Sequence, residues 1–315
     1  MNENINNYIA GWIDSAGHIR FRTKECSYGK TISPVIEINY INDEQLDLFS
    51  EFASEYNFNF KIRERIEIYK WPDINSLLEV ISEYLVRYYK ISKYILDIYE
   101  PIKNNLRQDQ LELERHMKFI DYLTPVNWSG DKIREFNNID PSIDRINESI
   151  SENTNTTDAY ISAWFDNKMS FRLSVSENKD GNFSEYLANI YLAFCVSKIS
   201  EKCSGIIIDW LNKNNIEYKI SETVDSNFVI TILKKDEMLK LFNIIGPKLI
   251  ARRKDVIDYI EQIHPYYIEN TNLDRYEDKR SFIEFIQSVE NILKKDKRRK
   301  NKKYTSTFFE DKWFN

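Results

Sequence analysis

A stretch that occurs twice constrains the fold of this chain more than any other feature. The segment YIAGWIDSAGHIRFR at Tyr8–Arg22 aligns with YISAWFDNKMSFRLS at Tyr160–Ser174, and a tryptophan and an aspartate recur at the same positions in both copies. A self-similarity separated by about half of a 315-residue chain indicates two structural repeats rather than one undivided domain.

The segments that follow each copy come in the same order. Two apolar alternations, a helical run, a pair of strands and further helical periodicity succeed one another in both halves. The pattern predicts an α+β fold of two pseudo-symmetric α-β-β-α-β-β-α halves. We place the first repeat at residues 1–110, a helical extension and linker at 111–157, the second repeat at 158–265, and a C-terminal helix with a basic tail at 266–315.

Each copy is predicted to begin as a helix and to continue as a strand. Small residues recur near the start of both helices, as Ala10 and Gly11 in the first copy and Ser162 and Ala163 in the second. Small side chains let two helix backbones approach closely. We therefore expect the two motif helices to pack along a tight seam.

The paired motif and the repeated topology resemble the single-chain, two-repeat LAGLIDADG homing endonucleases. The resemblance implies packed motif helices and, in each half, a saddle-shaped antiparallel sheet of four strands that faces the major groove of DNA. In that family the eighth motif position is an aspartate, and one from each half holds the Mg²⁺ ions that drive phosphodiester hydrolysis. Carboxylates suit this role because hard divalent cations prefer oxygen ligands.

This sequence departs from the family at that position, with Ala16 in the first copy and Lys168 in the second. Alanine has no ligand atom, and lysine offers only hydrogen-bond donors. The sixth position keeps Asp14 and Asp166, for which we expect bonds to the local backbone. We therefore predict an inactive nuclease without a catalytic residue, a metal or another cofactor.

Basic residues mark the surface on which the resemblance implies nucleic-acid binding. In the family register, six of them share one strand parity in the first half, which favours contact with a polyanion although a single surface charge is usually only solvated. The predicted binding residues are Arg20, Arg22, Lys24, Lys61, Arg63 and Arg65 on the first-half strands, Arg172 and Lys198 in the second half, and Lys90, Lys93, Arg252, Arg253 and Lys254 at the starts of the two final helices. Asn42 and Lys198 are assigned to the ends of the second strands, where the family often has a polar residue near the metal-bound water.

Composition limits the setting of the protein. The net charge is −6, and residues 1–157 carry 18 Lys and Arg against 26 Asp and Glu, so any nucleic-acid surface must be local. No apolar run reaches the ~20 residues that a membrane span needs. The three cysteines form no spaced metal set. We expect a monomer with an internal pseudo-dimer, in an organelle (mitochondrial) matrix or a prokaryotic cytoplasm, neither secreted nor membrane-bound.

Three functions stay open. The first is an inactive LAGLIDADG-type protein that binds double-stranded DNA or structured RNA, including intron or ribosomal RNA in a ribonucleoprotein. The second is an active Mg²⁺-dependent homing endonuclease whose metal site uses Asp14, Asp166 or Glu177 instead. The third is a structural or protein-interaction module without nucleic-acid binding, which the acidic total favours. The basic run Lys294–Lys303 fits a nonspecific contact and a soluble tail equally well.

Overall fold

The computed structural model of the protein describes residues 3–26, 29–104, 154–177, 186–196, 201–222, 228–265, 276–293 and 303–314. Most of the extension predicted at 111–157 lies outside these residues. The chain divides into two compact units, Met1–Asn167 with Ile199–Ile207, and Lys168–Lys198 with Ile208–Asn315. Within the described part of the chain, no helix combines the length and the apolarity that crossing a membrane requires.

The first repeat forms one four-stranded antiparallel sheet with strand order β1-β2-β4-β3. Its elements are α1 (Glu3–Ala16), β1 (Gly17–Cys26), β2 (Gly29–Ile38), α2 (Asp43–Glu55), β3 (Lys61–Ile62), β4 (Ile66–Ile68), α3 (Trp71–Ile81) and α4 (Tyr89–Asn104). The register of the β1–β2 hairpin places Gly17 opposite Ile38 and His18 opposite Glu37.

The second repeat forms an equivalent sheet with strand order β5-β6-β8-β7. Its elements are α5 (Asp158–Lys168), β5 (Met169–Glu177), β6 (Tyr186–Val196), α6 (Glu201–Lys213), β7 (Lys219–Glu222), β8 (Phe228–Ile232), α7 (Lys235–Ile245) and α8 (Arg253–Asp258), which continues as a π-helical turn. The predicted order of elements is therefore confirmed in both halves, with two helices after the last strand of each.

Strand alternation gives the first sheet one buried face. Ile19 on β1, Ile36 on β2 and Ile68 on β4 lie in register with one another and are almost completely buried. The aromatic core beside them includes Trp12 and Phe49, whose rings meet edge to face at 5.8 Å. Burial of such large apolar side chains contributes about 2–3 kcal/mol each, so this face fixes which strand residues remain on the open face.

The C-terminal segment adds two helices to the second unit, α9 (Tyr276–Leu293) and α10 (Ser306–Phe314). Tyr186, at the start of β6, lies at the centre of an aromatic cluster with Tyr304, Phe309 and Trp313. Lys312 Nζ also donates to the Tyr186 hydroxyl at 2.7 Å. The chain beyond the basic run therefore packs in the core of the second unit, whereas residues 294–302 of the run itself lie outside the described residues.

The motif helices α1 and α5 touch at their backbones. A Cβ built on Gly11 would lie well inside 3.0 Å of the Tyr160 carbonyl oxygen and 3.1 Å from the Ala163 Cβ. Ala10 and Ser162, the other small residues of the predicted seam, are completely buried. The glycine is needed at this contact because any side chain would push the two helices apart.

We predict that Gly11→Ala destabilises the protein by about 1–3 kcal/mol, because the added methyl group must displace a backbone carbonyl. Gly205→Ala is the matched control, since a Cβ at Gly205 meets nothing within 4 Å and this residue lies inside α6. Alanine there should stabilise the protein by about 0.5–1 kcal/mol. Urea unfolding of both variants measures the difference, and equal effects would contradict the close backbone contact.

Candidate nucleic-acid interface

The two departures from the family motif lie at the ends of the motif helices. Helix α1 ends at Ala16 and β1 begins at Gly17, while α5 ends at Lys168 and β5 begins at Met169. A Cβ at Gly17 would lie 2.6 Å from the Ile13 carbonyl oxygen, so the first junction requires glycine. The alignment of the two copies places Ala16 and Lys168 at helix-to-strand junctions, and the structure has both residues there.

The Asp14 carboxylate holds together parts of the chain that are distant in sequence. It is completely buried and accepts hydrogen bonds from the backbone N–H groups of Val86 at 2.7 Å, Arg87 at 3.1 Å and Tyr88 at 3.2 Å. The Tyr160 hydroxyl donates a fourth bond at 2.8 Å. The expected bond to local backbone is therefore wrong for Asp14, which instead anchors the chain just before α4.

A reciprocal bond crosses the seam in the other direction. The Tyr8 hydroxyl donates to Asp166 Oδ2 at 2.6 Å and accepts a bond from Gln45 Nε2 at 3.1 Å. Burial raises the pKa of Asp14 above its usual value, although the four hydrogen bonds oppose this shift. Burial and the neighbouring Asp166 carboxylate raise the pKa of Tyr8 well above its usual value, so this tyrosine remains a neutral donor.

The carbonyl groups at the end of α1 are also bonded. Arg87 Nη1 donates to the Asp14 carbonyl at 3.2 Å, the Asn39 N–H to Ala16 at 3.2 Å, and the Tyr88 hydroxyl to Gly17 at 2.9 Å. A guanidinium at a helix C-terminus also interacts favourably with the helix dipole. Sequence reasoning missed Arg87, whose only signal was its place shortly before the basic start of α4.

The polar residue assigned to the end of β2 lies elsewhere. Asn42 is the N-cap of α2, where its side chain accepts from the Gln45 N–H at 3.3 Å. Strand β2 ends at Ile38, and Asn39 is the residue next to the end of α1. The assignment of Asn42 to the motif centre is therefore wrong, and Lys198 in the second half lies outside the described residues.

The open face of the first sheet carries an arginine cluster around one acid. Arg20 and Arg22 on β1 have half-exposed side chains, whereas Glu37 on β2 is only 3% exposed. Arg20 pairs with Glu37 Oε1, Arg22 Nη2 lies 2.8 Å from the same oxygen, and Arg65 Nη1 lies 2.9 Å from Oε2. The sequence indicated the cations but not the acid, because a lone glutamate in a strand is usually solvated.

Burial alone would raise the pKa of the Glu37 carboxyl. Hydrogen bonding and charge from Arg20, with the charges of Arg65 and Arg22, outweigh burial and hold this pKa below its usual value. Glu37 is therefore ionised near neutral pH, and the cluster of three arginines keeps a net positive charge.

The cations predicted on the third and fourth strands of the first half include Arg65 of the arginine cluster. Arg63 and Arg65 are in the turn between β3 and β4 rather than on the strands, which corrects their predicted placement. Arg63 Nη1 lies 3.9 Å from Glu67 Oε2, and Lys61 Nζ lies 4.9 Å from the centre of the Tyr69 ring. The side chain of Lys24 lies outside the described residues.

The basic residues assigned to the final helices are unequally exposed. Lys93 pairs with Glu83, and Arg252 Nη1 lies 3.3 Å from Asp255 Oδ2. The last three predicted positions differ in burial, with Lys90 half-buried and Arg253 and Lys254 exposed.

The open face of the second sheet carries few charges. Arg172 on β5 is exposed and lies in register with Tyr191 on β6. Lys219 on the edge strand β7 lies in register with Thr231, and Ser174 with Asn189. This face therefore offers mostly neutral hydrogen-bonding groups.

The residues of the motif do not fit a Mg²⁺ site of the family type. The side chains of Ala16 and Lys168 supply no oxygen ligand, and both Asp14 carboxylate oxygens already accept hydrogen bonds. Glu177 is at the far end of β5, about 26 Å from Met169 at ~3.3 Å per strand residue. Among the residues that the structure describes, no group of three or more His, Cys, Asp or Glu is placed to hold a metal.

We predict that Tyr160→Phe lowers the free energy of unfolding by about 1.5–3 kcal/mol, because a buried carboxylate loses a hydrogen bond. Tyr218→Phe is the control, since its hydroxyl bonds Asn212 on the surface, and it should change stability by less than about 0.5 kcal/mol. Denaturant midpoints of the two variants test this, and a similar change in both would show that the bond across the seam contributes little.

No protein-family model matches the sequence, and no curated protein matches it. Solved structures, in contrast, match over nearly the whole chain. The LAGLIDADG homing endonuclease I-SmaMI, bound to cleaved DNA, has a TM-score of 0.67 and 11% identity, with 96% of this chain and 98% of the other covered. I-LtrWI bound to target DNA gives 0.66 and 13%, covering 95% and 98%, and I-GzeII in complex with its DNA target gives 0.64 and 11%, covering 91% and 97%. This chain has the fold of the LAGLIDADG homing endonucleases.

Proposed function

We propose that this protein binds double-stranded DNA through the open face of its first sheet and does not cleave it. The single observation that carries the proposal is the cluster of Arg20, Arg22 and Arg65 on that face, with side chains 39–49% exposed. Exposed arginines on an open sheet carry the charge that a phosphate backbone attracts and the donors that pair with acceptors on base edges.

Double-stranded DNA is the favoured ligand for two reasons. Structures with the same fold, such as those of I-LtrWI and I-GzeII, contain target DNA. The major groove of B-form DNA also admits a β-ribbon, whereas the major groove of A-form RNA is too deep and narrow for side chains to read. Structured RNA, including RNA of a ribonucleoprotein, is tested beside DNA in the binding experiment below.

We infer the absence of hydrolysis from the residues at the eighth motif position, Ala16 and Lys168. Metal-assisted hydrolysis needs oxygen ligands that position a water and stabilise the leaving oxygen. Ala16 and Lys168 cannot supply them, and Asp14 is occupied in holding the chain before α4. Asp166 is completely buried and already accepts a bond from Tyr8. The burial and hydrogen bonds of Asp14 and Asp166 argue against a metal site that uses the sixth motif position instead of the eighth.

We expect no cleavage of supercoiled plasmid or of a randomised DNA library with Mg²⁺ or Mn²⁺. The double variant Ala16→Asp with Lys168→Asp is the matched comparison, because it returns a carboxylate to both helix ends. Cleavage by this variant alone would assign the inactivity to these two positions. Cleavage by the unmodified protein that EDTA abolishes would overturn the proposal and favour the active endonuclease.

We expect the affinity for duplex DNA to fall steeply with salt, as for a surface that neutralises phosphates. Arg20→Ala with Arg22→Ala should weaken the binding of duplex DNA by about tenfold or more, because two guanidinium groups leave the open face. Lys240→Ala is the control, since Lys240 lies on α7 rather than on a sheet and pairs with Glu237. Fluorescence anisotropy with duplex DNA and a structured RNA of equal length measures both ligands. Tighter binding to RNA would replace DNA as the ligand, and no binding to either would favour a protein-interaction module.

A further inference from the structure

Glu37 is an acidic residue on a surface that we propose binds a polyanion, where a negative charge is unfavourable. It lies on β2 in the middle of the arginine cluster and is 3% exposed, while its three arginine partners are each more than a third exposed. A carboxylate at this place removes one unit of positive charge from the face. If the face bound phosphates alone, replacing Glu37 by a neutral residue would raise its affinity for them.

The geometry gives Glu37 a different role. One carboxylate oxygen faces Arg20 and Arg22, and the other faces Arg65. A guanidinium group has five N–H donors in a rigid plane. A bond to Glu37 uses one or two of these donors and leaves the others for a ligand. The carboxylate thereby restricts the rotation of three long side chains that would otherwise sample many rotamers.

Restricted arginines suit the recognition of bases better than the recognition of phosphate. The commonest specific contact to DNA is a bidentate one, from a guanidinium to O6 and N7 of guanine in the major groove, and it depends on the orientation of the plane. Phosphate contacts tolerate a moving charge, because they position the protein without reading sequence.

We propose that Glu37 is a positioning residue that orients Arg20, Arg22 and Arg65 to read guanines in double-stranded DNA. This inference rests on the proposed DNA-binding function and adds to it a residue that confers specificity. Glu37 itself touches no base. It acts through the arginines that it holds.

The sequence supplies a matched control for charge. Glu67 lies on β4 directly in register with Glu37 on the same open face, and its Oε2 lies 3.9 Å from Arg63 Nη1. Glu67→Gln therefore adds the same charge to the same face as Glu37→Gln while leaving the three-arginine cluster intact. Glu37→Asp keeps the charge but shortens the side chain by one methylene group, so it tests the geometry alone.

The experiment is an in vitro selection from a randomised duplex library, followed by anisotropy titration of each variant with the selected and a scrambled duplex. We expect the unmodified protein to select guanines at two or three fixed positions. Glu37→Gln should bind scrambled DNA more tightly, and its ratio of selected to scrambled affinity should fall by about tenfold or more. Glu67→Gln should bind scrambled DNA more tightly as well, with its ratio unchanged.

Thermal unfolding checks that each variant is folded at the assay temperature. If Glu37→Gln is not folded, Glu37→Asp carries the test, and a loss of discrimination without a gain in nonspecific affinity is then expected. Selected sites without fixed guanines, or equal ratios in the Glu37 and Glu67 variants, would overturn this inference and leave DNA binding intact. No binding of the unmodified protein to duplex DNA would overturn both.

Discussion

The packing of α1 against α5 is the contact on which the other features of the first unit depend. Gly11 brings the two helix backbones together, and at that separation the tyrosine of each helix reaches the aspartate of the other. The Asp14 carboxylate also accepts hydrogen bonds from three backbone N–H groups in the turn before α4. A buried carboxylate is costly unless it is fully hydrogen-bonded, so the seam and the turn stabilise each other.

In this arrangement the sixth motif position serves the packing of the helices, and the eighth is the position at which the family has its metal ligand. The sixth-position aspartates are buried in the seam, and their loss would leave several donors without partners. The eighth position, Ala16 and Lys168, is the last residue of each motif helix. Substitution there removes a metal ligand and leaves the packing unchanged. The packing of the two motif helices therefore does not require a carboxylate at the eighth position, and a motif that is degenerate there can keep the fold.

The sequence predicted the fold well because the signals for it are local or repeated. Apolar alternation, helical periodicity and two copies of one motif define the element order without knowledge of any distant contact. The partners of Asp14 and Glu37 could not be predicted in this way, since they are brought together from separate strands and turns. The misplacement of Arg63 and Arg65 has a simpler reason, because β3 and β4 contain only two and three residues and leave little alternation to follow.

The two halves share a topology but differ in the chemistry of their open faces. The first sheet has exposed arginines held by a buried acid, whereas the second presents Arg172 among serine, asparagine and tyrosine positions. Under the proposed DNA binding, a face with three exposed arginines and a face with one differ in how many guanines they can contact. We therefore expect the guanine contacts to be made mainly by the first sheet rather than shared equally with the second.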